Sequence, residues 1–308
     1  MLFRQLEYFV ALAREQHFAR AAAASYVSQP ALSSAIHKLE QELNVTLIYR
    51  GHTFEGLTPE GERLVIWARR ILAEHDAFKA EVQAVKSGLT GTLRLGAVPT
   101  ASTTAALPIE AFAAVHPLAS IRVQTRLSSD DLLRMIADFE IDAAIMAREP
   151  ADSAGLESVA LYEEEHVLVV PQELLPDRTT TMSWTEAHSL PLVLLDRRMY
   201  SRRLIDRAFA ERGVVIAPQV ETDSVASLHA LVRTGRWASI VPRSWFYTRA
   251  PAPNSEIIVM PEPVARVEMV VAIRAAEPGS LIARSFARTT AALRLDELKA
   301  IRTTARLL

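Results

Sequence analysis

Residues 19–40 read Ala-Arg-Ala-Ala-Ala-Ala-Ser-Tyr-Val-Ser-Gln-Pro-Ala-Leu-Ser-Ser-Ala-Ile-His-Lys-Leu-Glu, and no other stretch constrains this chain as strongly. Two short helical patterns meet there at a tight polar junction. Upstream, Leu6, Phe9, Val10, Leu12 and Ala13 recur at helical spacing and predict a helix over 4–15. Phe18, Ala21, Ala22 and Tyr26 repeat that pattern on a second, shorter helix, whose alanines allow close helix crossing. Ser28 is a favourable N-cap for a third helix, and Pro30 falls in its first turn, where a missing N–H costs nothing. Leu32, Ile36, Leu39 and Leu43 then face inward and leave Gln29, Ser33, Ser34, His37 and Lys38 outside.

Those outward side chains suit a DNA major groove. Glutamine bonds an adenine edge in bidentate fashion, serine bonds bases or phosphates, and lysine and histidine suit phosphates. They would equally suit the solvated face of an ordinary three-helix bundle, and polarity alone leaves the two readings level. Segments 45–49 and 54–57 read as a two-stranded wing with Arg50, Gly51 and His52 at a basic tip.

With these motifs the chain resembles the LysR-type transcriptional regulators. The resemblance rests on Phe3-Arg-Gln-Leu-Glu-Tyr-Phe-Val, Val27-Ser-Gln-Pro-Ala-Leu-Ser, Leu39-Glu-Gln-Glu-Leu and Leu57-Thr-Pro-Glu-Gly-Glu, in order and at the family's spacing. It implies that Gln29, Pro30 and Ser33 read bases and that Ser34, Lys38 and Arg50 contact phosphates, with His37 and His52 beside them. Many members carry arginine where this chain has Ser34 and His37, a departure that bears on operator preference.

At 308 residues the chain is long enough for two or three domains, each with its own core. Arg4, Glu7 and Arg14 interrupt the apolar residues of the N-terminus, so no signal peptide is expected, and no apolar run is long enough to span a bilayer. A cytoplasmic protein with no membrane partner is expected. The chain has no cysteine, which excludes disulfides and thiolate metal sites. Some LysR-type proteins sense peroxide through thiols, and that route is closed here.

The net charge is −2, and residues 1–58 carry five cations against five carboxylates. Affinity for DNA must then come from local placement of charge and from presenting two heads at once. Thr58 and Pro59 start a long helix that ends near Gly88, a rod of about 43 Å at 1.5 Å per residue. Leu64, Ile71, Phe78 and Val85 recur every seven residues with Ala68, His75 and Val82 between them, the pattern of a short coiled-coil seam. Packing against the chain's own other domain is the competing use of that stripe. The resemblance implies an antiparallel homodimer of these helices, a pseudo-palindromic double-stranded operator, further pairing to a homotetramer, and RNA polymerase as a partner.

From Thr92 strand and helix alternate, so a parallel α/β sheet is expected, with ligand bound at the carboxyl ends of its strands. Segments 167–171 and 267–273 would cross between two lobes, which is the plan of periplasmic binding proteins and of the LysR effector domain. The expected organisation is an all-α winged helix-turn-helix head at 1–58, a linker helix at 59–88, and a two-lobe α/β effector domain at 92–298. Lobe I covers about 92–165 and 266–298, lobe II about 166–265, and 299–308 form a tail.

Candidate effector ligands are Thr100, Ser102, Ser128, Ser129, Tyr200 and Thr222, with Arg148, Arg197 or Arg198 as countercharge. Hydroxyls and helix N-termini suit a small polar or anionic molecule, although each is also an ordinary helix cap. Glu163-Glu-Glu-His166 is read as a solvated acidic turn rather than a metal site, and no metal or cofactor is expected. No nucleophile elbow, P-loop or dinucleotide fingerprint occurs. An enzyme with a DNA-binding head and an exported solute-binding protein are the rival readings; the first lacks catalytic groups, and neither explains residues 1–58.

Overall fold

The structure is a computed structural model and describes residues 1–50, 54–148, 155–175, 181–246, 251, 254–260, 266–276 and 279–293. Its contacts fall into two compact units, one built on Met1–Leu89 and the other on Thr90–Ile136 and Ile141–Glu277.

In the first unit, α1 (Phe3–Glu15), α2 (Phe18–Ala24) and α3 (Gln29–Leu43) precede the antiparallel strands β1 (Ile48–Arg50) and β2 (Phe54–Leu57). Helix α4 (Pro59–Ser87) follows. Each helix start has a local cause. The Gln5 side chain accepts the Leu2 N–H at 2.5 Å, His17 Nδ1 accepts the Ala19 N–H, and Ser28 and Thr58 cap α3 and α4 with a proline in the first turn of each. Leu6, Phe9, Leu12, Ala21, Ala22, Leu32, Ile36 and Leu39 form one core with Leu47 and Ile48.

Three expectations change here. Tyr26 was expected on the inner face of α2, but the helix ends at Ala24 and the residue turns left-handed at φ 55°, leaving it 96% exposed. Leu43, on the last turn of α3, lies outside the core at 40% exposure. The seam on α4 is divided: Val65 and Ala68 are buried in the head's own core with Leu64 and Ile71 packed beside them, whereas Phe78 and Val82 are exposed with Ile66 and Trp67. Val85 lies among residues whose side chains are outside the description.

The second unit orders its elements as β3 (Gly91–Ala97), α5 (Ala106–Val115), β4 (Ala119–Gln124), α6 (Ser129–Ala137), β5 (Ala143–Ala147) and β6 (Leu156–Pro171). There follow α7 (Trp184–His188), β7 (Val193–Leu195), α8 (Tyr200–Ala210), β8 (Val220–Thr222), α9 (Val225–Val232) and β9 (Ser239–Pro242). Strands β10 (Ser255–Val259) and β11 (Arg266–Arg274) lead to α10 (Leu281–Ala291). The main sheet runs β10-β6-β11-β5-β3-β4, with β9 added to β6 and a separate β7-β8 pair.

The sheet is mixed rather than parallel. Strand β3 pairs in parallel with β4 and β5, but β11 returns antiparallel to both β5 and β6, and β6 is antiparallel to β9 and β10. A strand that crosses back from one lobe to the other must run against the strand that crossed over. The 16 residues of β6 serve both lobes, pairing with β11 through Glu165 and with β9 and β10 beyond it.

Lobe I packs Phe112 edge-on to Phe286 at 5.5 Å, and Gly96 leaves room for the Leu132 side chain of α6, whose tip would lie 2.3 Å from a Cβ there. Lobe II has two cores, one around Trp184 and Phe209 and the other around Val193, Leu228 and Trp245. Among the described residues no helix is long and apolar enough to cross a membrane.

Candidate functional site

Two sites follow from this architecture, one in each unit. In the first, α3 presents Gln29, Pro30, Ser34, His37 and Lys38 as exposed residues, with Ser33 half-buried among them. They share a face because Leu32, Ile36 and Leu39 hold the opposite face in the core. The helix is also tied to the start of the wing. Glu40 is 8% exposed, and its Oε1 accepts the backbone N–H of Leu47 at 2.9 Å and of Ile48 at 3.3 Å. A buried carboxylate spanning helix and strand fixes the orientation of the exposed row more firmly than apolar packing alone.

His37 is already engaged, 3.0 Å from Gln41 Nε2 and 3.8 Å from Glu40. Tyr26 stands fully exposed two residues before the Ser28 cap, a position that helical spacing assigned to the core. Arg50 lies on β1 with its side chain outside the description, and His52 lies outside the described residues.

The second site is a cavity in the two-lobed unit. It is lined by the turn after β3 (Val98, Pro99, Thr100), the start of α6 (Ser128, Ser129), the middle of β6 (Glu164, His166), the start of α8 (Met199, Tyr200, Ser201) and β11 (Val267, Met269), with Ala147 and Pro242 completing the wall. Both lobes therefore contribute. The cavity holds ≈ 20 Å³ of space for water centres, room for about one water molecule.

Four of the expected effector ligands, Thr100, Ser128, Ser129 and Tyr200, meet on this wall. Ser102, Arg148 and Thr222 are not on it. Ser102 closes the turn after β3, Arg148 is ion-paired with Glu268, and the Thr222 hydroxyl accepts the Ser224 N–H at 3.1 Å. Arg197 and Arg198 are exposed and face Asp206 and Asp196.

Glu164 and His166 were missed. The run Glu163–His166 is no turn but the centre of β6, so alternate residues face opposite ways. Glu164 and His166 are 3% and 1% exposed, while Glu165 pairs with Arg243 at 2.9 Å. The signal lay in the apolar run that continues to Pro171, which marks a strand.

Beneath the cavity is a polar knot. Glu164 accepts the Ser244 N–H at 3.2 Å and the Ser244 hydroxyl, and Tyr162 bonds Thr104 at 2.9 Å. Burial, reinforced by the Glu164 charge, pushes the Tyr162 phenol well above its usual range. At α6, the Ser128 hydroxyl and backbone N–H donate to the Asp131 carboxylate at 2.7 Å and 3.2 Å and hold it below the usual range, while the hydroxyl also accepts the Asp131 N–H. Ser129 is 2% exposed, and its hydroxyl has no hydrogen-bond partner among the described residues.

Residues 3–62 match the bacterial regulatory helix-turn-helix protein of the lysR family, and residues 86–293 match the LysR substrate binding domain. A probable hydrogen peroxide-inducible genes activator of Streptomyces viridosporus is 32% identical over 244 residues, 78% of this chain and 77% of the relative. Another, of Mycobacterium xenopi, is 38% identical over 167 residues, 54% of this chain and 87% of the relative. A full-length OxyR variant from Pseudomonas aeruginosa superposes with a TM-score of 0.75 at 27% identity, covering 96% of each chain. CbnR complexed with its target DNA gives a TM-score of 0.68 over 94% of this chain and 99% of that one; at 24% identity it shows likeness of fold alone.

Proposed function

This chain belongs to the LysR family of transcriptional regulators, and from that premise we propose that α3 reads an operator while a small molecule in the two-lobed cavity sets the transcriptional outcome. The protein is a DNA-binding regulator with an effector-binding domain. The finer assignments are our reading: Gln29, Pro30 and Ser33 read bases, Ser34, His37, Lys38, Arg50 and His52 hold the backbone, and Thr100, Ser128, Ser129 and Tyr200 bind effector.

The observation that carries it is the exposed row Gln29–Lys38 on a helix whose other face is core and whose orientation Glu40 fixes. Residues 1–58 then form the reading head, 59–88 the dimerisation helix and 92–298 the sensor. The exposed aromatic and apolar side chains of α4 (Trp67, Phe78, Val82) suit burial against a second copy, and two heads in a two-fold dimer call for a pseudo-palindromic double-stranded operator. Pairing of dimers to a tetramer and contact with RNA polymerase complete the assembly, which works in the cytoplasm, where its operator is. A ligand that binds one arrangement of the lobes better than another biases that arrangement, and the heads follow.

Peroxide sensing through a thiol is closed to this chain, which has no cysteine to oxidise. The test is selection of bound sequences from random duplex DNA by the full-length protein. Recovery of a two-half-site motif supports the reading; recovery of no common sequence opposes it.

A further inference from the structure

Taking the cavity as the effector site proposed above, we propose that the molecule it accepts is small, carries N–H or O–H donors and bears no negative charge. This departs from the anion that hydroxyls and helix ends suggest by themselves, and the reason is what else stands on the wall.

The carboxylate on the cavity wall is Glu164, and the buried imidazole of His166 stands two residues along the same side of β6. Glu164 is 3% exposed and is placed there by the alternation of β6 and by its bonds to Ser244. Among the described residues the wall carries no lysine or arginine. The arginines nearest in sequence to the wall residues are ion-paired elsewhere: Arg148 with Glu268, Arg198 with Asp196 at 3.2 Å, Arg202 with Asp206 at 2.7 Å and Glu221 at 2.9 Å, and Arg243 and Arg266 with Glu165 at 2.9 Å and 3.4 Å. An anion entering here would meet a fixed negative charge in a poorly hydrated space, where like charges repel far more strongly than in water.

The start of α6 would ordinarily favour an anion, but its first turn already holds Asp130 and Asp131, and Asp131 accepts the Ser128 N–H at 3.2 Å as well as its hydroxyl. The positive end of that helix is therefore already answered from within the chain.

A second observation points to a ligand independently of charge. Ser129 is 2% exposed, lines the cavity, and its Oγ finds no partner among the described residues. A buried hydroxyl left unpaired is costly, and an occupant that bonds it removes that cost. The wall thus offers the Ser129 and Thr100 hydroxyls, which can accept or donate, and the Glu164 carboxylate, which only accepts, with Val98, Met199, Val267 and Met269 closing round the apolar part of the guest. Room for about one water centre limits the guest to a few heavy atoms unless the lobes part.

Formamidinium, formamide and formate share one shape at three charges, and Met199 and Met269 on the wall are natural reporters. In full-length protein carrying 13C-methyl methionine, with both signals assigned through Met199→Leu and Met269→Leu, each probe is titrated while the two methyl shifts are followed. Formamide and formamidinium are expected to move both signals and to bind about tenfold or more tightly than formate. Ser129→Ala weakens formamide, and Glu164→Gln, checked for folding by circular dichroism, abolishes the discrimination against formate. Formate binding as tightly as formamide in the unaltered protein would overturn the ligand class yet leave the cavity as the effector site. Failure of all three probes to move either signal would overturn the site and this proposal together.

Discussion

The indole N–H of Trp245 donates to the backbone carbonyl of Thr100 at 2.9 Å. Trp245 follows β9 in lobe II and is 3% exposed, whereas Thr100 sits in the turn after β3 in lobe I and lines the cavity. One buried bond thus ties a wall residue of one lobe to the core of the other. His229 stacks against the same indole with ring centres 6.4 Å apart. Replacing Trp245 by Phe keeps a ring in place and removes the donor, leaving the carbonyl unpaired. Denaturant unfolding of the variant is expected to show a loss of about 1–3 kcal/mol, together with an altered effector concentration for half-response. Unchanged values of both would remove this bond from the account.

The reading helix is held by Glu40, and the next contact up the chain leaves little room. A Cβ at Gly61 would lie 2.0 Å from the Leu47 carbonyl oxygen, on the strand segment whose N–H groups Glu40 receives. Gly61→Ala therefore has to push α4 away from the head, at a cost of about 1–3 kcal/mol. Glu40→Ala strands two buried N–H groups at a similar cost. Both should lower the melting temperature of the full-length protein and weaken operator binding in step, measured by calorimetry beside gel shift. Operator binding lost with no change in melting temperature would mean that these residues touch DNA themselves.

Lys38 and Gln29 should separate by the kind of loss they cause. Lys38→Ala, as a phosphate contact, lowers affinity for operator and random DNA alike and reduces the slope of log affinity against log salt by about 1. Gln29→Ala leaves that slope unchanged and costs about 1–3 kcal/mol on the operator alone. Fluorescence anisotropy across a salt series reads both, and identical behaviour of the two variants would contradict the division of roles.

The Tyr162 phenol gives a pH signature. Its proton is held more tightly in the folded chain than in the unfolded one, so the stabilisation is complete below the phenol's ordinary range, near pH 10. Above that pH the unfolded chain sheds the proton while the folded chain keeps it, and stability falls as pH rises. Tyr162→Phe removes this component along with the bond to Thr104. The stability gap between the native protein and the variant should narrow above about pH 10 in urea titrations; a gap independent of pH would contradict the burial of an un-ionised phenol.

Helical elements were the most legible part of the chain because their signals are local. The caps Ser28 and Thr58, each followed by proline, mark the starts of α3 and α4 in residues next to one another. Tyr26 misled because an aromatic at helical spacing reads as core, and only the left-handed turn after Ala24 turns it outward. Ala68 lay in a seven-residue stripe that serves a partner and the chain's own core equally well, and the repeat holds nothing that chooses between them. Strand direction was illegible for a different reason. Pairing of β11 with β5 and β6 joins segments far apart in sequence, and alternation of strand and helix reports only what is adjacent. The cavity was half visible, through hydroxyls at strand ends, while Glu164 and His166 were hidden in what looked like a charged surface turn.

Exposed Phe78, at 70%, stands on the outward part of α4 with Trp67 at 54%. Phe78→Glu places a charge where we expect a second copy to pack, so it should shift sedimentation toward the monomer and weaken operator binding by at least about tenfold through loss of the second head. An unchanged assembly would put the dimer surface elsewhere.

The central claim is that α3 reads a specific sequence, and DNase I footprinting of the full-length protein on the DNA upstream of its own gene tests it most directly, with Gln29→Ala alongside. The account predicts a protected pair of half-sites one or more helical turns apart, lost in the variant while weak binding to random duplex persists. Protection identical in the two proteins at every protein concentration would contradict it, since a helix that reads bases through Gln29 must lose affinity for the site with that side chain.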